Sequence, residues 1–295
     1  MRLAESYPPA GHPVADIRAH GLSRSVYSID FTSFLWKLQR KVFGQYIGKM
    51  FYQHKVDSKG QVVPLRRLGE INRWLMEQGC LAPWIFTKRE CHEYWMRITN
   101  DERHAGNRPD EYATKPQEIF DFLQQFWSPE ISRYLSVLEL GCNCGANLQA
   151  LFQNGLRDLR GVDINPYALE QMKVLFPELA KVTTVRCGSL EDVLPTMKSN
   201  SVDVVFTMGV LIHVHPQSNS VFQEMVRVAR KYVVLIENEV GNCAYVFARN
   251  HRRVFERLGC TQIRSTLIMR ETAPNVDVNH YGSVARLFSI SKNVA

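Results

Sequence analysis

The sequence lacks a long apolar run, an even set of cysteines and a metal-binding spacing of cysteine and histidine. No uninterrupted apolar segment among its 295 residues reaches about 18, the length of a membrane-spanning helix. Residues 1–29 hold no continuous apolar stretch, which predicts the absence of a secretory signal. The seven cysteines are odd in number and scattered, which is typical of reduced thiols. We therefore expect a cytoplasmic protein with no membrane span and no bound metal.

Positive charge gathered in one block is also missing. The formal net charge is +7, but the positive residues are spread along the chain. The densest groups, at 37–41 and 249–253, are short and interleaved with apolar residues. Because a nucleic acid requires many phosphate contacts, this pattern favours a solvated basic surface and leaves a nucleic acid as the alternative partner. The sequence does not determine the oligomeric state.

From about residue 134 onward, short β-branched runs alternate with amphipathic stretches. This alternation is typical of βαβ units around a parallel sheet. The predicted strands are 136–140, 159–163, 182–187, 202–207, 232–237, 261–269 and 284–291. The predicted helices are 146–154, 166–176, 220–229 and 244–258. No helix separates the last two strands, so we expect them to pair antiparallel at the end of the sheet.

The first 113 residues have a different pattern, rich in aromatic side chains. Helices are predicted at 34–51, 65–77 and 88–97, and a turn between two short extended pieces at 55–64. We therefore expect two parts. Residues 1–113 form a mainly helical N-terminal extension or lid, and residues 114–295 form a nucleotide-binding domain.

The strongest signal is the turn between the first strand and the first helix of this domain. The apolar segment 137–140 runs into small residues, of which Gly141 and Gly145 allow the backbone to approach a ligand closely. Asp163 ends the next strand, 22 residues after Gly141. An acid in that place accepts hydrogen bonds from ribose hydroxyls. Turn, acid and strand order together predict a cofactor that contains a nucleoside.

The turn departs from the dinucleotide-binding pattern, which has glycine at its first, third and sixth positions. Counted from Gly141, this chain has Asn143 at the third position and Ala146 at the sixth. The missing third glycine disfavours a pyrophosphate at the helix N-terminus. Glu139, inside the preceding strand, is placed to face a cation. S-adenosylmethionine carries a sulfonium and an ammonium but no phosphate, and it therefore fits better.

The segment Glu139-x-Gly141-x-Asn143-x-Gly145 resembles motif I of the class I S-adenosylmethionine-dependent methyltransferases. Asn143 stands where that family has a central glycine, and we expect a left-handed backbone there because asparagine tolerates it best among non-glycine residues. The resemblance implies an α/β Rossmann-like fold, with a mostly parallel seven-stranded sheet that carries a C-terminal antiparallel strand. It also implies S-adenosylmethionine as cofactor and S-adenosylhomocysteine as product. The residues implied in cofactor binding are Glu139, Gly141, Cys142, Asn143, Gly145, Asp163, Ile164, Ser189, Leu190, Met208 and Tyr112.

The acceptor side is predicted from the rule that parallel sheets bind substrates at the carboxyl ends of their strands. That rule selects His213 and His215 after the fourth strand and Glu237 at the end of the fifth, as a general base or as contacts to the methyl acceptor. Loop capping is the alternative for His213. Arg249 and His251 lie two residues apart on a predicted helix, so at most one of them is expected to face the cleft.

A closer resemblance concerns the methyl acceptor. Residues 209–216, Glu237 and Arg249-x-His251 are similar to methylases associated with pseudaminic-acid biosynthesis. This similarity implies a small polar acceptor, a sugar or natural-product intermediate, methylated on oxygen or nitrogen. Two alternatives remain: a methyltransferase acting on tRNA or another nucleic acid, and a non-catalytic interaction protein that keeps the cofactor fold.

Overall fold

The computed structural model describes a large part of the chain. The described residues are 54–56, 62–64, 71, 74–75, 78, 86–104, 107–114, 116–239, 242–243, 245–269, 271–273 and 282–290. The predicted helix 34–51 lies outside them, and so does most of the predicted helix 65–77. Residues 54–56 and 62–64 form two short strands that pair antiparallel, as expected for the two extended pieces, and the predicted turn between them lies outside the described residues.

A seven-stranded sheet forms the centre of the fold. The described strands are β1 (His54–Val56), β2 (Val62–Pro64), β3 (Val137–Leu140), β4 (Leu159–Asp163), β5 (Thr184–Cys187), β6 (Val202–Met208), β7 (Ala229–Glu237), β8 (Asn242–Cys243), β9 (Val246–Phe247), β10 (Cys260–Leu267) and β11 (Val284–Ile290). The strand order in the large sheet is β10-β11-β7-β6-β3-β4-β5. Strands β3 to β7 are parallel, and β11 pairs antiparallel with both β7 and β10. The predicted fold class is confirmed.

Nine described helices accompany the strands. They are α1 (Lys88–Met96), α2 (Pro109–Tyr112), α3 (Pro116–Trp127), α4 (Ala146–Gln153), α5 (Pro166–Leu175), α6 (Pro177–Val182), α7 (Leu190–Val193), α8 (Ser220–Val228) and α9 (His251–Arg257). Helix α1 begins in a capping box: the Thr87 hydroxyl accepts a hydrogen bond from the Glu90 N–H, and the Glu90 carboxylate accepts one from the Thr87 N–H. In the part of the chain that the structure describes, every helix is too short or too polar to cross a bilayer.

Hydrophobic cores cover both faces of the sheet, because each inner strand has helices above and below it. Neighbouring side chains of β3 enter opposite cores, Val137 on the side of α3 and α4 and Leu138 on the side of α7 and α8. The apolar runs of the parallel strands follow from this double burial. The polar groups that follow those strands are left at one edge of the sheet, at the strands' carboxyl ends.

The predicted helix 244–258 is wrong in its first half. Residues 242–247 form the hairpin of β8 and β9, and α9 begins only at His251. The side-chain oxygen of Asn250 accepts a hydrogen bond from the Arg253 N–H at 3.0 Å, which caps the helix there. The predicted stop at Gly259 is confirmed, and its φ of 84° is the left-handed conformation that glycine supplies.

Candidate cofactor and acceptor site

The turn between β3 and α4 is built from left-handed residues. Gly141, Asn143 and Gly145 have φ values of 70°, 47° and 81°. The left-handed backbone expected at Asn143 is confirmed. Its side chain also stabilises the turn, since Asn143 Oδ1 accepts a hydrogen bond from the Cys144 N–H at 2.7 Å. Asparagine thus supplies both a tolerated φ and an acceptor where glycine would supply only the first.

The two glycines leave no room for a side chain. A Cβ at Gly141 would lie 2.3 Å from Val210 Cγ2, and one at Gly145 would lie 2.4 Å from Met172 Cε. The turn is therefore pressed against the loop after β6 on one side and against α5 on the other. The backbone of the turn is also held internally, since the N–H groups of Gly141 and Cys142 both donate to the Val162 carbonyl oxygen, at 2.7 and 3.1 Å.

Asp163, at the end of β4, contacts the turn directly. Its Oδ2 accepts a hydrogen bond from the Asn143 N–H at 2.7 Å, and its Oδ1 accepts one from the Asn165 N–H at 2.8 Å. Burial raises the pKa of Asp163, and these backbone N–H groups oppose the rise. A carboxylate has about four acceptor positions, so each oxygen retains capacity for a ribose hydroxyl.

Glu139 carries an orphaned polar atom. The side chain is buried, and its Oε1 accepts a hydrogen bond from Asn147 Nδ2 at 2.7 Å. Its Oε2 is buried without a hydrogen-bond partner among the described residues. Burial raises the pKa of Glu139 to about 8, and the Asn147 amide opposes that rise. A buried carboxyl with one unused oxygen is the environment that a cationic ligand would complete.

Sequence reasoning missed Asn147. It lies in the first turn of α4, and its Nδ2 is also 3.9 Å from Met208 Sδ at the end of β6. The first turn of the helix that follows a glycine-rich turn lies at the edge of the sheet where ligands bind. A polar residue in that place could therefore have been selected from the sequence.

The remaining predicted cofactor residues surround the ends of β4 and β5. Ser189 and Leu190 are buried at the start of α7, and the Ser189 hydroxyl donates to Asp192 Oδ2 at 2.5 Å. Ile164 follows β4, and its carbonyl oxygen is 3.9 Å from Cys187 Sγ at the end of β5. The structure thus brings the residues predicted for the nucleoside to one edge of the sheet.

Glu237 is buried at the end of β7, and its carboxylate holds the loop after β6. Its Oε1 accepts hydrogen bonds from the Thr207 hydroxyl at 2.5 Å and from the Val210 and Leu211 N–H groups, both at 3.0 Å. Its Oε2 accepts one from the Ile212 N–H at 3.3 Å. Four protein donors, three of them on Oε1, hold this buried carboxylate. The contacts of Glu237 in this structure are those of a positioning group.

Arg249 holds the same loop through its carbonyl groups. Its guanidinium is buried and donates to the carbonyl oxygens of Leu211 at 3.2 Å, Val214 at 2.6 Å and Phe247 at 3.0 Å. The prediction that Arg249 lies on a helix is wrong, because Arg249 precedes α9. Glu237 thus accepts from the N–H groups of the loop after β6, and Arg249 donates to the carbonyl groups of the same loop.

His213 lies in that loop with a defined tautomer. Its Nδ1 is 3.0 Å from the carbonyl oxygen of Tyr245. A carbonyl oxygen only accepts, so Nδ1 carries the proton and Nε2 keeps a free lone pair. Burial lowers the pKa of His213 to about 4. The imidazole is therefore neutral at pH 7 and offers an acceptor atom.

His215 uses both ring nitrogens in the protein. Its Nε2 donates to the Phe86 carbonyl oxygen at 3.1 Å, and its Nδ1 accepts from the Gln217 N–H at 3.2 Å. Burial also lowers the pKa of His215. The ring joins the loop after β6 to the N-terminal segment.

The described N-terminal residues 86–104 and 107–112 contact both the turn after β3 and the segments that follow β4 and β5. The Asn165 side-chain amide donates to the Ile98 carbonyl oxygen at 2.8 Å. Cys144 Sγ, in the turn between β3 and α4, lies 3.1 Å from the Pro109 carbonyl oxygen. Lys88 Nζ forms an ion pair with Glu191 at 3.1 Å. Tyr112 belongs to α2, the helix that this contact with Cys144 places beside the turn.

Residues 138–236 match a family model described as a methyltransferase domain. This match spans the turn, Asp163 and the loop that carries His213. Residues 138–236 therefore form a methyltransferase domain, and the fold around them is the one expected of a class I, S-adenosylmethionine-dependent methyltransferase. Within this domain, β3 and the turn after it carry the segment that resembles motif I, and the loop after β6 carries His213.

Two solved methyltransferase structures are similar to this chain, and the first of them shares its fold. A methyltransferase in complex with the Trm112 methyltransferase activator, from Haloferax volcanii, aligns with a TM-score of 0.54 and 13% identity, covering 71% of this chain and 100% of that one. Magnesium protoporphyrin IX methyltransferase from Synechocystis, with bound S-adenosylmethionine, aligns with a TM-score of 0.48 and 16% identity over 75% of this chain and 96% of that one. Among curated proteins, none matches the sequence.

Proposed function

We propose that the protein transfers a methyl group from S-adenosylmethionine to an oxygen or nitrogen of a small polar acceptor. The observation that carries this proposal is the free Oε2 of Glu139, buried beside the left-handed turn. A dinucleotide phosphate would place negative charge against this carboxyl. A sulfonium or ammonium would instead give the unused oxygen a partner.

The chain's own residues account for the rest of the cofactor. Backbone groups of Gly141, Cys142 and Gly145 receive the methionine part, and the remaining acceptor capacity of Asp163 receives the ribose hydroxyls. The adenine is received between Ile164 and the start of α7 at Ser189 and Leu190. Tyr112 closes over the cofactor from α2. When bound, the cofactor supplies an electrophilic methyl group with a neutral thioether as leaving group.

We assign the direct acceptor contact to His213. Its Nε2 lone pair accepts a hydrogen bond from the acceptor's hydroxyl or amine and holds that nucleophile in line with the methyl group. Glu237 and His215 act as positioning residues, because their polar atoms are used within the protein. Arg249 has the same role for the loop's carbonyl groups.

The surroundings of His213 support a small acceptor over a nucleic acid. The side chains stacked around it in the described residues are aromatic, Trp95 and Tyr245 among them. The nearby guanidinium of Arg249 is turned into backbone contacts and buried. A polynucleotide would instead require exposed cations along an open groove.

Calorimetric titration with S-adenosylhomocysteine and S-adenosylmethionine tests the cofactor assignment. Asp163→Ala removes hydrogen bonds to a charged group, which should weaken binding by roughly 1.5–3 kcal/mol. Asp158→Ala is the matched control, because Asp158 begins the same strand region with its side chain 53% exposed. Equal affinity in wild type and Asp163→Ala, or tighter binding of a nicotinamide dinucleotide, would refute the proposal.

A salt series tests the acceptor class. Bulk tRNA and duplex DNA should bind weakly, and their binding should disappear between low and near-physiological salt as counterion release predicts. Submicromolar, saturable binding that survives the higher salt would replace the small-molecule assignment with a nucleic-acid substrate.

A further inference from the structure

Five aromatic side chains gather where α1 meets the loop after β6 and the hairpin of β8 and β9. The ring centroids of Trp95 and His213 are 4.4 Å apart, and those of His213 and Tyr245 are 6.1 Å apart. Tyr94 stacks on Tyr245 at 4.8 Å, and Phe86 lies 5.8 Å from the same ring. All five side chains are partly exposed. We call this group the aromatic cluster.

The aromatic cluster holds one donor without a partner. The indole N–H of Trp95 is buried, and it has no hydrogen-bond partner among the described residues. Leaving such a group unpaired costs about 1–3 kcal/mol. Buried polar groups in native proteins are rarely left unpaired, so each exception requires a specific explanation. A ligand atom that accepts a hydrogen bond is the explanation that fits a site beside His213.

The neighbouring ring supplies the complementary acceptor. Because His213 Nδ1 donates to the Tyr245 carbonyl oxygen, its Nε2 keeps a lone pair that can accept a hydrogen bond. A donor and an acceptor therefore stand on two rings in contact. A single hydroxyl group can use both, since its oxygen accepts and its hydrogen donates.

Charge is absent from the aromatic cluster. The cationic side chains of α1 are used elsewhere: Lys88 pairs with Glu191 at 3.1 Å, and Arg89 pairs with Glu93 at 2.8 Å. The faces of neutral rings favour a flat, uncharged partner that can stack on them. A phosphorylated or carboxylated acceptor finds no counter-charge among the five rings.

We propose that the aromatic cluster binds a planar acceptor with a ring-attached hydroxyl, a phenol, with Trp95 Nε1 donating to the hydroxyl oxygen and His213 Nε2 accepting its hydrogen. This inference rests on the proposed function and names its substrate class. It also makes Trp95, a residue of the N-terminal segment, a specificity-determining residue for a site otherwise formed by the domain.

The group transfer balances without a further reactant. A lone pair of the phenolic oxygen forms the new bond to the methyl carbon, and the carbon–sulfur bond breaks with its electron pair moving to sulfur. The hydroxyl proton passes to His213 Nε2 and from there to solvent. Because the oxygen becomes strongly acidic as its new bond forms, a weakly basic imidazole is sufficient to receive that proton.

The first experiment compares ligands on the wild-type full chain saturated with S-adenosylhomocysteine. Binding of phenol, toluene and cyclohexanol is measured by saturation-transfer NMR. Phenol should bind more tightly than toluene, which has its shape without the hydroxyl, and more tightly than cyclohexanol, which has the hydroxyl without the flat ring. Equal binding of phenol and toluene, or tighter binding of methyl glucoside or tetramethylammonium than of phenol, overturns the proposal.

The second experiment uses Trp95→Phe, which keeps a ring and removes the N–H. Its affinity for phenol should fall by roughly three- to tenfold, the range for one net hydrogen bond, while toluene binding should change little. Trp74→Phe is the matched control, since Trp74 is 46% exposed and should leave both ligands unaffected. An unchanged preference for phenol in Trp95→Phe contradicts the assigned donor.

The affinity for S-adenosylhomocysteine distinguishes a failure of the phenol site from a failure of the proposed function. If Trp95→Phe binds it as the wild type does, the variant is folded and a missing phenol preference counts against the aromatic cluster alone. If the wild type fails to bind it, the proposed function fails first.

Discussion

The turn between β3 and α4 and the loop after β6 lie against each other, but their polar groups are used differently. Two acids lie beside the turn, Glu139 with an unused oxygen and Asp163 with spare acceptor capacity. In the loop, Glu237 and Arg249 satisfy the backbone from two sides. Under the proposed function, the cationic cofactor would meet these two acids and the methyl acceptor would meet neutral rings. The comparison shows that acids with unused acceptor capacity lie beside the turn, whereas the polar groups that hold the loop are satisfied within the protein.

The largest effect should come from removing the carboxylate that holds the neutral loop. Glu237→Ala leaves the buried Thr207 hydroxyl and the Val210, Leu211 and Ile212 N–H groups without this acceptor, and should lower the free energy of unfolding by roughly 3–5 kcal/mol. Urea denaturation measures it. Glu170→Ala, with a side chain 66% exposed, should change stability by less than about 0.5 kcal/mol. A Glu237→Ala protein as stable as this control contradicts the positioning role.

Alanine substitutions at Gly141 and Gly155, which both have a positive φ, distinguish backbone strain from loss of ligand contact. Alanine in a left-handed conformation costs about 1–2 kcal/mol at either site. At Gly141 the added Cβ would also meet Val210 Cγ2 at 2.3 Å, whereas at Gly155 the nearest atom is 3.8 Å away. Calorimetry should therefore find weaker S-adenosylhomocysteine binding in Gly141→Ala and wild-type binding in Gly155→Ala. Equal affinities in the two variants would place the cofactor away from the turn.

Proton release tests the acid on the cofactor side. Burial raises the pKa of Glu139 to about 8, so the carboxyl is mainly protonated at pH 7 without a ligand. A cation beside it lowers that pKa, and binding of S-adenosylmethionine should release close to one proton. Calorimetry at pH 7 in two buffers of different ionisation enthalpy measures the number, and Glu139→Gln should abolish it.

The same shift predicts how stability depends on pH. The folded cofactor-free protein binds a proton that the unfolded chain, with an ordinary value of 4.5, has already lost. Its free energy of unfolding should therefore fall as the pH rises from about 4.5 to about 8, and Glu139→Gln should flatten this slope. A slope that is unchanged in Glu139→Gln would show that another group is responsible.

The smallest effect concerns His213 and should be an absence of titration. Burial lowers its pKa to about 4, so long-range 1H–15N NMR should find the Nδ1–H tautomer throughout pH 5 to 8. Because the unfolded chain gains this proton at higher pH, the shift lowers stability as the pH falls from about 6.5 to about 4. A midpoint near 6.5, assigned by comparison with His213→Gln, would contradict the buried neutral ring.

The cofactor side could be predicted from the sequence because its signals are local. Gly141, Asn143 and Gly145 lie within five residues of one another, and their backbone requirements follow from residue type alone. The strands were predicted to within a few residues because double burial produces apolar β-branched runs. Asp163 was placed by its position at a strand end.

The acceptor side could not be predicted in the same way because its contacts join distant segments. Trp95 meets His213, and Glu237 binds the N–H groups of Val210 and Leu211, across separations that no local pattern records. The sequence selected Glu237 by its strand end, but burial and four donors favour a positioning role over a base. The segment 244–258 was predicted as one helix, but the Asn250 cap starts the helix only at His251.

The placement of β11 sets the order in which the chain can assemble. β11 lies between β7 and β10 and pairs with both, although it follows them in the sequence. During synthesis, β10 has no partner in the sheet and the outer edge of β7 stays open until residues 284–290 leave the ribosome. The strands that carry Glu139 and Asp163 can be ordered earlier, since β3, β4 and β6 pair without β11. A nascent chain is therefore expected to form its nucleoside-binding half before the sheet edge behind Glu237 is closed.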